Sequence, residues 1–186
     1  MSAQSPQPGG IPTLAKEVTV TAQTQEANAQ NIQQVWMEEA IRLATTSVAN
    51  GGGPFGALVA KDGEIVALGN NQVTATLDPT AHAEVSAMRN ACKELGTFSL
   101  AGCVLVTSCE PCPMCLSSAL WARVDSIVFA ADRHDAAVAG FDDRAFYDLF
   151  DKKPASMWPM GVEQLDLPNR TAPFDAWLAK SDRIDY

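Results

Sequence analysis

Apolar residues recur at helical spacing in some segments of this chain and form short unbroken runs in others. Between Asn31 and Ala49 they fall three or four positions apart, which predicts a helix that ends at the glycine-rich stretch 50–54. Two apolar runs, 56–60 and 65–68, flank the turn sequence Lys61-Asp62-Gly63. An Asp-Gly turn between two such runs predicts a β-hairpin.

After the hairpin, helical and strand patterns alternate along the chain. Helical spacing recurs over 81–95 and 112–122, and short apolar runs at 104–106 and 127–131 predict the strands that follow. Such alternation is typical of parallel strands that are covered by helices on both faces. We therefore expect an α/β fold with three α/β/α layers.

The two ends of the chain carry weaker patterns. Residues 1–30 are rich in Gln, Pro, Gly, Ser and Thr and offer little apolar surface to offset chain entropy. We predict a flexible N-terminal extension there and one domain over 31–186. Helices are predicted at 144–150 and 173–180, with a further strand at 162–167.

Charge narrows the range of partners. The 186 residues include 13 basic and 22 acidic side chains, which gives a formal net charge of −9. Binding to nucleic acids and to anionic membranes depends on Lys and Arg that neutralise phosphates. The balance therefore argues against both partners and favours a small or neutral substrate. No run reaches the roughly 18 apolar residues that a membrane-spanning helix needs.

The five cysteines indicate a metal site rather than a disulfide framework. Their number is odd, and Cys109, Cys112 and Cys115 crowd into one short segment. The first thirty residues show no basic segment followed by an apolar one, the pattern of a secretory signal. We therefore expect a reducing, cytoplasmic setting, where thiols persist.

Two short motifs, His82-Ala83-Glu84 and Pro111-Cys112-Pro113-Met114-Cys115, supply the candidate ligands. Zinc binds thiolates and imidazoles in tetrahedral geometry. The two cysteines share the first turn of a predicted helix, where the helix dipole lowers thiol pKa values. His82 opens the preceding predicted helix. These three ligands predict a Zn²⁺ site whose fourth position is left for water, as in catalytic zinc centres.

Glu84 lies two residues beyond His82 and is predicted to carry protons. Zinc lowers the pKa of a water ligand towards about 7, and a nearby carboxylate can take that proton and pass it on. H-x-E followed by P-C-x-x-C is the signature of zinc-dependent nucleobase deaminases. The backbone N–H groups of Ala83 and Cys112, at helix starts, could hydrogen-bond the reacting region.

Cys109 leaves an alternative open. It also has C-x-x-C spacing with Cys112, and a fourth protein ligand would make the site closed and structural. The competing interpretation is a zinc-stabilised interaction module without catalysis. Glu84 and an open fourth position would argue against it.

The motifs resemble those of the cytidine deaminase superfamily, and among its members they resemble bacterial guanine deaminases most closely. The resemblance covers about residues 33–186. The matching segments are 52–56, 78–85, 107–116 and 139–143, together with the terminal Tyr186. The zinc motifs define only the superfamily, whereas Ala139-Gly140-Phe141-Asp142-Asp143 and the final tyrosine narrow the match to guanine deaminases.

This resemblance implies hydrolytic deamination of guanine to xanthine and ammonia, with His82, Cys112 and Cys115 on zinc and Glu84 as the proton shuttle. It also implies a mixed five-stranded sheet.

The resemblance further assigns the substrate contacts. Asn71 would bind the base, Phe55 would stack on the purine, and Asp143 would hold the guanine edge and assist proton transfer. Tyr186 and the C-terminal helix would close the pocket, exchanged between the two subunits of a swapped homodimer.

Other deaminases of the same fold remain alternatives. A tRNA adenosine deaminase shares the run Asp-Pro-Thr-Ala-His-Ala-Glu, but the charge of −9 and Asp142-Asp143 disfavour it. A cytosine deaminase or an enzyme for a guanine-like triazine is also compatible with the motifs, because pocket shape selects the base.

Overall fold

A computed structural model describes residues 22–141, 143–152, 158–164 and 168–184 of the chain. Tyr186 and most of the N-terminal extension lie outside the described residues. The elements follow in the order α1 (Ala22–Ala49), β1 (Gly56–Lys61), β2 (Glu64–Asn70), α2 (Val73–Thr76), α3 (Ala83–Leu95), β3 (Cys103–Cys109), α4 (Pro113–Trp121), β4 (Ser126–Ala131), α5 (Arg133–Val138), α6 (Asp143–Lys152) and α7 (Ala172–Ala179).

The strands form one mixed sheet in the order β2-β1-β3-β4. Strand β1 pairs antiparallel with both β2 and β3, whereas β3 and β4 are parallel. The register places Ala57 opposite Thr107, and Leu105 opposite Ile127. The predicted hairpin and the predicted mixed sheet are both confirmed.

Helices cover the sheet on both faces. Successive residues of β1 point to opposite faces, and both faces are buried, as expected for an inner strand of a layered α/β fold. Leu58 and Ala60 pack against Trp36 and Ala40 of α1. On the other face, Ala57, Val59 and Leu105 of the sheet share a buried cluster with Met88 of α3 and Ala119 of α4. The three-layer prediction is therefore confirmed.

The prediction of five strands is wrong for the described residues, which contain four. The candidate fifth strand was the segment 162–167. Val162 is 61% exposed, and 161–164 have no regular secondary structure. An isolated apolar residue without a buried face gives a strand nothing to pack against. Residues 165–167 lie outside the described part.

Helix boundaries also differ from the predicted ones. Helix α1 begins at Ala22 rather than near Asn31, so it overlaps the segment predicted as an extension. The short helices α2 and α5 were not predicted, because four and six residues are too few to establish a periodic pattern. No helix within the described ranges is both long enough and apolar enough to cross a membrane.

Glycine allows close contact between β2 and the start of α3. A Cβ atom at Gly69 would lie 2.4 Å from the carbonyl oxygen of Ala83 and 2.4 Å from the backbone nitrogen of Ala87. Both atoms belong to the helix backbone, which cannot move aside without shifting the helix. Gly69 therefore sets the distance at which the first turn of α3 rests on the sheet.

We expect Gly69→Ala to lower the free energy of unfolding by about 1–3 kcal/mol, the usual cost of overpacking. Chemical denaturation would measure the change. Gly161→Ala is the matched control, because a Cβ at Gly161 meets nothing within 4 Å and should leave stability unchanged. Equal stability of the two variants would contradict the close-contact interpretation.

Candidate metal centre and adjoining cavity

The N-termini of α3 and α4 bring three candidate ligands together. His82 is the N-cap residue of α3, Cys112 is the N-cap residue of α4, and Cys115 lies in the first turn of α4. The Cys112 Sγ and Cys115 Sγ atoms are 3.6 Å apart, and each is 3.6 Å from His82 Nδ1. His82 precedes Cys112 by 30 residues and Cys115 by 33, so only the tertiary fold brings the histidine to the cysteines.

The dimensions of this triangle fit zinc. A tetrahedral ion at about 2.3 Å from sulfur and about 2.05 Å from nitrogen holds two sulfurs about 3.8 Å apart, and each sulfur about 3.6 Å from nitrogen. Two thiols and one imidazole are also ligands that zinc prefers. Among the described residues, these three are the group of His, Cys, Asp or Glu side chains close enough to hold a metal ion.

The two N-cap residues adopt the same backbone conformation. His82 has φ −65° and ψ 160°, and Cys112 has φ −65° and ψ 166°. An N-cap side chain commonly accepts a hydrogen bond from its own helix, but neither of these does. Their side chains instead turn towards each other. Pro113 at the first helical position of α4 favours this extended conformation of Cys112.

A polar turn holds the chain that enters α3. Asp78 Oδ1 accepts hydrogen bonds from the backbone N–H of Thr80 at 2.8 Å and from its hydroxyl at 2.7 Å. Arg89, on the second turn of α3, donates to Asp78 Oδ2 at 3.3 Å. These bonds fix the turn immediately before His82.

The two thiols titrate as a pair. The hydrogen bond with the Cys115 thiol lowers the pKa of Cys112 to about 4, and His82 acts in the same direction. The neighbouring Cys112 sulfur and burial raise the pKa of Cys115. Negative charge is therefore held more easily on the Cys112 sulfur than on the Cys115 sulfur.

Glu84 is a buried carboxyl group beside this cluster. It is 6% exposed and lies in the first turn of α3. Burial raises the pKa of Glu84 to about 7, and the negative charge of Cys112 adds to the rise, although its own backbone amide and His82 oppose it. A carboxyl group with a pKa near neutrality can both accept and donate a proton at physiological pH.

A cavity of about 280 Å³ opens next to the cluster. His82, Glu84 and Cys112 form part of its wall, together with Gly53, Phe55, Asn71, Val73, Thr74, Glu110 and Phe141. The Phe55 and Phe141 rings meet edge to face, with centroids 4.8 Å apart and an interplanar angle of 80°. An aromatic wall beside a few polar groups suits a flat, heteroaromatic ligand.

The side chain of Asn71 stabilises a turn through its oxygen and has an amide N–H group that can donate to a ligand. Its Oδ1 accepts a hydrogen bond from the backbone N–H of Val73 at 3.2 Å, and its backbone N–H donates to Phe55 at 3.1 Å. These bonds fix the side chain at the edge of the cavity. Among the described residues, no acceptor is recorded for the Asn71 amide nitrogen, which leaves it able to donate to a ligand.

Glu110 is a second carboxylate in the cavity wall, and the sequence motifs gave it no role. Arg133 holds it through a bidentate ion pair and a backbone N–H. The hydrogen bonds from Arg133 lower the pKa of Glu110, and burial opposes them only in part. Glu84 and Glu110 thus face the same cavity with pKa values shifted in opposite directions, a pattern that separates a proton carrier from a fixed charge.

Other candidate residues are placed differently. Ala83 is buried as the first residue of α3, so its amide has no acceptor within the helix. The Cys109 Sγ atom lies 3.7 Å from the carbonyl oxygen of Asp132, outside the ligand triangle. Asp143 is the first residue of α6, but its side chain lies outside the described part, as does Tyr186.

Three residues at or near the site had no predicted role: Phe141 and Glu110 of the cavity wall, and Tyr147 of α6. The first two lie within matched motifs. Tyr147 gave no sequence signal, because its contact with Pro111 spans 36 residues.

Comparison with known proteins agrees with this geometry. Residues 30–131 match the family model of the cytidine and deoxycytidylate deaminase zinc-binding region. The chain is 47% identical to guanine deaminase from Bacillus subtilis over 82% of its own length and 98% of that protein. The crystal structure of that enzyme superposes with a TM-score of 0.79 over the same shares of the two chains.

Two further relatives are less similar. A tRNA-specific adenosine deaminase from Aquifex aeolicus is 37% identical over 58% of this chain and 72% of its own. A structure in complex with 2,6-diaminopurine is 36% identical, with a TM-score of 0.58 over 60% of this chain and 62% of that one. The family model and the near full-length match to the Bacillus enzyme show that the chain belongs to the cytidine deaminase superfamily, as a homologue of bacterial guanine deaminases.

Proposed function

We propose that the chain catalyses zinc-dependent hydrolysis of guanine to xanthine and ammonia, a step of purine catabolism. The observation that carries this proposal is a buried carboxyl group, Glu84, between a three-ligand cluster and an aromatic-walled cavity. A homologue that matches over 82% of this chain and 98% of its own length is a guanine deaminase. Structures of relatives contain 2,6-diaminopurine and 8-azaguanine, both purine-like bases.

His82, Cys112 and Cys115 would hold Zn²⁺. When bound, the ion lowers the pKa of a water ligand towards about 7 and so supplies a nucleophile at neutral pH. Three protein ligands would leave a fourth position for water, and His82 and Cys112 both line the cavity that also contains Glu84. Cys109 is assigned no role at the metal.

Glu84 would move the protons. Hydrolysis adds water at C2, the carbon that bears the amino group, and expels ammonia. Glu84 accepts a proton from the attacking water and delivers protons to the ring nitrogen and to the leaving amine. Its burial supports this role, because exclusion of water keeps the carboxyl group near neutral pKa and shields the reacting atoms.

The cavity wall would orient the base. Phe55 stacks on the purine, and the Asn71 amide nitrogen donates a hydrogen bond to an acceptor on its edge. The amide of Ala83, at the start of α3, would stabilise charge that develops on the base. Asp143 would hold the guanine edge and assist proton transfer, and Tyr186 would close the cavity.

Assembly as a swapped homodimer belongs to the same proposal. An apolar groove of 880 Å³ lies between α3 and α4, and its lining includes Ile184, close to the C-terminus. Trp121 and Phe98 in this groove are 68% and 56% exposed. Exposed aromatic side chains mark surfaces that bind a partner. A solution mass equal to one chain would contradict this assembly.

A cytoplasmic location completes the proposal, because the clustered thiols must stay reduced to bind metal.

A tRNA adenosine deaminase is the second candidate, supported by the 37% identity to the Aquifex enzyme. The net charge of −9 argues against a large polyanionic substrate. A cytosine or triazine deaminase would use the same metal ligands.

We expect Cys112→Ser to lose zinc and Cys109→Ser to keep about one zinc per chain, because only the former sulfur belongs to the ligand triangle. Metal analysis of the purified variants by mass spectrometry would measure the content. Circular dichroism would verify that both variants fold. Loss of zinc from Cys109→Ser would instead indicate a closed four-ligand site.

The stability of the metal-free protein should depend on the protonation of Glu84. Its pKa is about 4.5 in the unfolded chain and about 7 in the folded one, so the folded state binds this proton more tightly. The free energy of unfolding should therefore fall as pH rises from about 4.5 to about 7.

Glu84→Gln removes this loss of stability. At pH 8 the free energy of unfolding of the variant should exceed that of the wild type by on the order of 3 kcal/mol. Near pH 4.5 their stabilities should be similar. Urea denaturation of the chelator-treated proteins across this range would test the prediction, with Glu94→Gln on the exposed side of α3 as the control. If the difference in the free energy of unfolding between the wild type and Glu84→Gln stays constant with pH, the prediction is contradicted.

Turnover should require Glu84 even when zinc is bound. We expect Glu84→Gln to retain zinc and to lose about 10²–10⁴-fold in ammonia release from guanine, the usual contribution of general acid–base catalysis. Guanine should be the preferred substrate over adenine, cytosine and their nucleosides. Near-normal turnover in the variant would refute the proton-carrier role, and salt-sensitive tRNA binding with deamination of adenosine would favour the second candidate.

A further inference from the structure

The two residues before Cys112 are both held by side chains from later helices. Both oxygens of the Glu110 carboxylate accept hydrogen bonds from Arg133, the first residue of α5. Arg133 Nε and its backbone N–H each donate to Oε2 at 2.9 Å, and Arg133 Nη2 donates to Oε1. A bidentate pair reinforced by the backbone gives a fixed geometry that a single ammonium could not supply.

Pro111 is held by Tyr147 of α6. The Tyr147 hydroxyl donates to the Pro111 carbonyl oxygen. The Arg133 guanidinium lies over the Tyr147 ring, with Cζ 3.5 Å from the centroid. The side chains that hold Glu110 and Pro111 therefore contact each other and form one unit, which we call the Arg133–Tyr147 brace.

The brace acts on the peptide that ends at the proposed zinc ligand. The Pro111 carbonyl and the Cys112 nitrogen belong to the same planar peptide group. The Tyr147 hydroxyl therefore orients the plane that leads into Cys112. On the other side of Cys112, Pro113 restricts the backbone to the extended conformation that the structure shows. Cys112 is thus fixed from both directions.

We propose that Arg133 and Tyr147 are positioning residues for the metal centre, which keep the Cys112 sulfur where zinc needs it. The brace also ties the segment that precedes Cys112 to α6, whose first residue, Asp143, is the proposed guanine-binding residue. This inference rests on the proposed zinc site, but not on the identity of the substrate.

Zinc affinity tests the brace directly. Outer-shell partners of metal ligands typically contribute about 10–100-fold to metal affinity. We therefore expect Tyr147→Phe, which keeps the ring over Arg133 but removes the hydroxyl, to lose about 10-fold in zinc affinity. Arg133→Lys keeps the charge, loses the bidentate geometry, and should show a similar loss. Competition with a chromophoric chelator measures both without any substrate.

Arg123→Lys is the matched control. Arg123 also lies over an aromatic ring, 5.9 Å from the centroid of Trp121, and donates to the carbonyls of Leu120 and Trp121. It lies two residues beyond the end of α4, at the opposite end from the cysteine ligands, so its replacement should leave zinc affinity unchanged.

The Arg133→Lys/Tyr147→Phe double variant tests whether the two side chains act as a unit. If they do, its fold-loss in zinc affinity should be smaller than the product of the two single fold-losses.

Each outcome has a distinct meaning. Unchanged zinc affinity in both brace variants would overturn the inference, and so would an equal loss in the Arg123 control, since that would reflect general destabilisation. A wild-type chain that binds no zinc would refute the proposed metal centre itself and the inference with it. If the zinc-loaded wild type is inactive on guanine and the brace variants bind zinc more weakly than it does, the result would support the brace and refute the proposed substrate.

Discussion

The site depends on the convergence of two helix N-termini over one face of the sheet. His82 and Cys112 are N-cap residues whose side chains do not cap their own helices but turn towards each other. Helix dipoles favour negative charge at this place, so two thiolates can be held close together. Gly69 lets α3 rest on β2, and Pro113 sets the backbone that precedes α4. Every other feature of the site is placed relative to these two helix ends.

The same arrangement gives two neighbouring carboxylates opposite properties. Glu84 is buried on the first turn of α3 without a cationic side chain to pair with in the described contacts, and its pKa rises towards 7. Glu110 lies in the same cavity wall, but Arg133 lowers its pKa and fixes both oxygens. One group can exchange protons near neutral pH, and the other remains a charged anchor. Environment rather than residue type makes the distinction.

Sequence patterns predicted those parts of the fold that depend on local chemistry. The hairpin, the helices that begin beside His82 and Cys112, and the three-layer order followed from hydrophobic periodicity and turn residues. The ligand motifs predicted which side chains would meet. The pairing of Glu110 with Arg133 was not predictable, because 23 residues separate them and no repeated pattern joins them.

The wrong prediction of a fifth strand, which the described residues do not contain, has a similar cause. The apolar residues Val162, Leu165 and Leu167 resembled a strand, but strand formation depends on a neighbouring edge and a buried face that local sequence does not specify. The roles given to Asp143 and Tyr186 came from family resemblance alone, and their side chains lie outside the described part of the chain.

The distance along the chain between His82 and the cysteines has a consequence for folding. These ligands are 30 and 33 residues apart and belong to separate helices, with β3 between them in sequence. Neither helix–loop segment offers a complete ligand set, unlike a zinc finger, in which one short segment supplies all ligands. The set is complete only when β3 has inserted beside β1 and carried α4 to α3. The chain can therefore bind the ion with all three ligands only after the long-range pairing of β3 with β1 has formed.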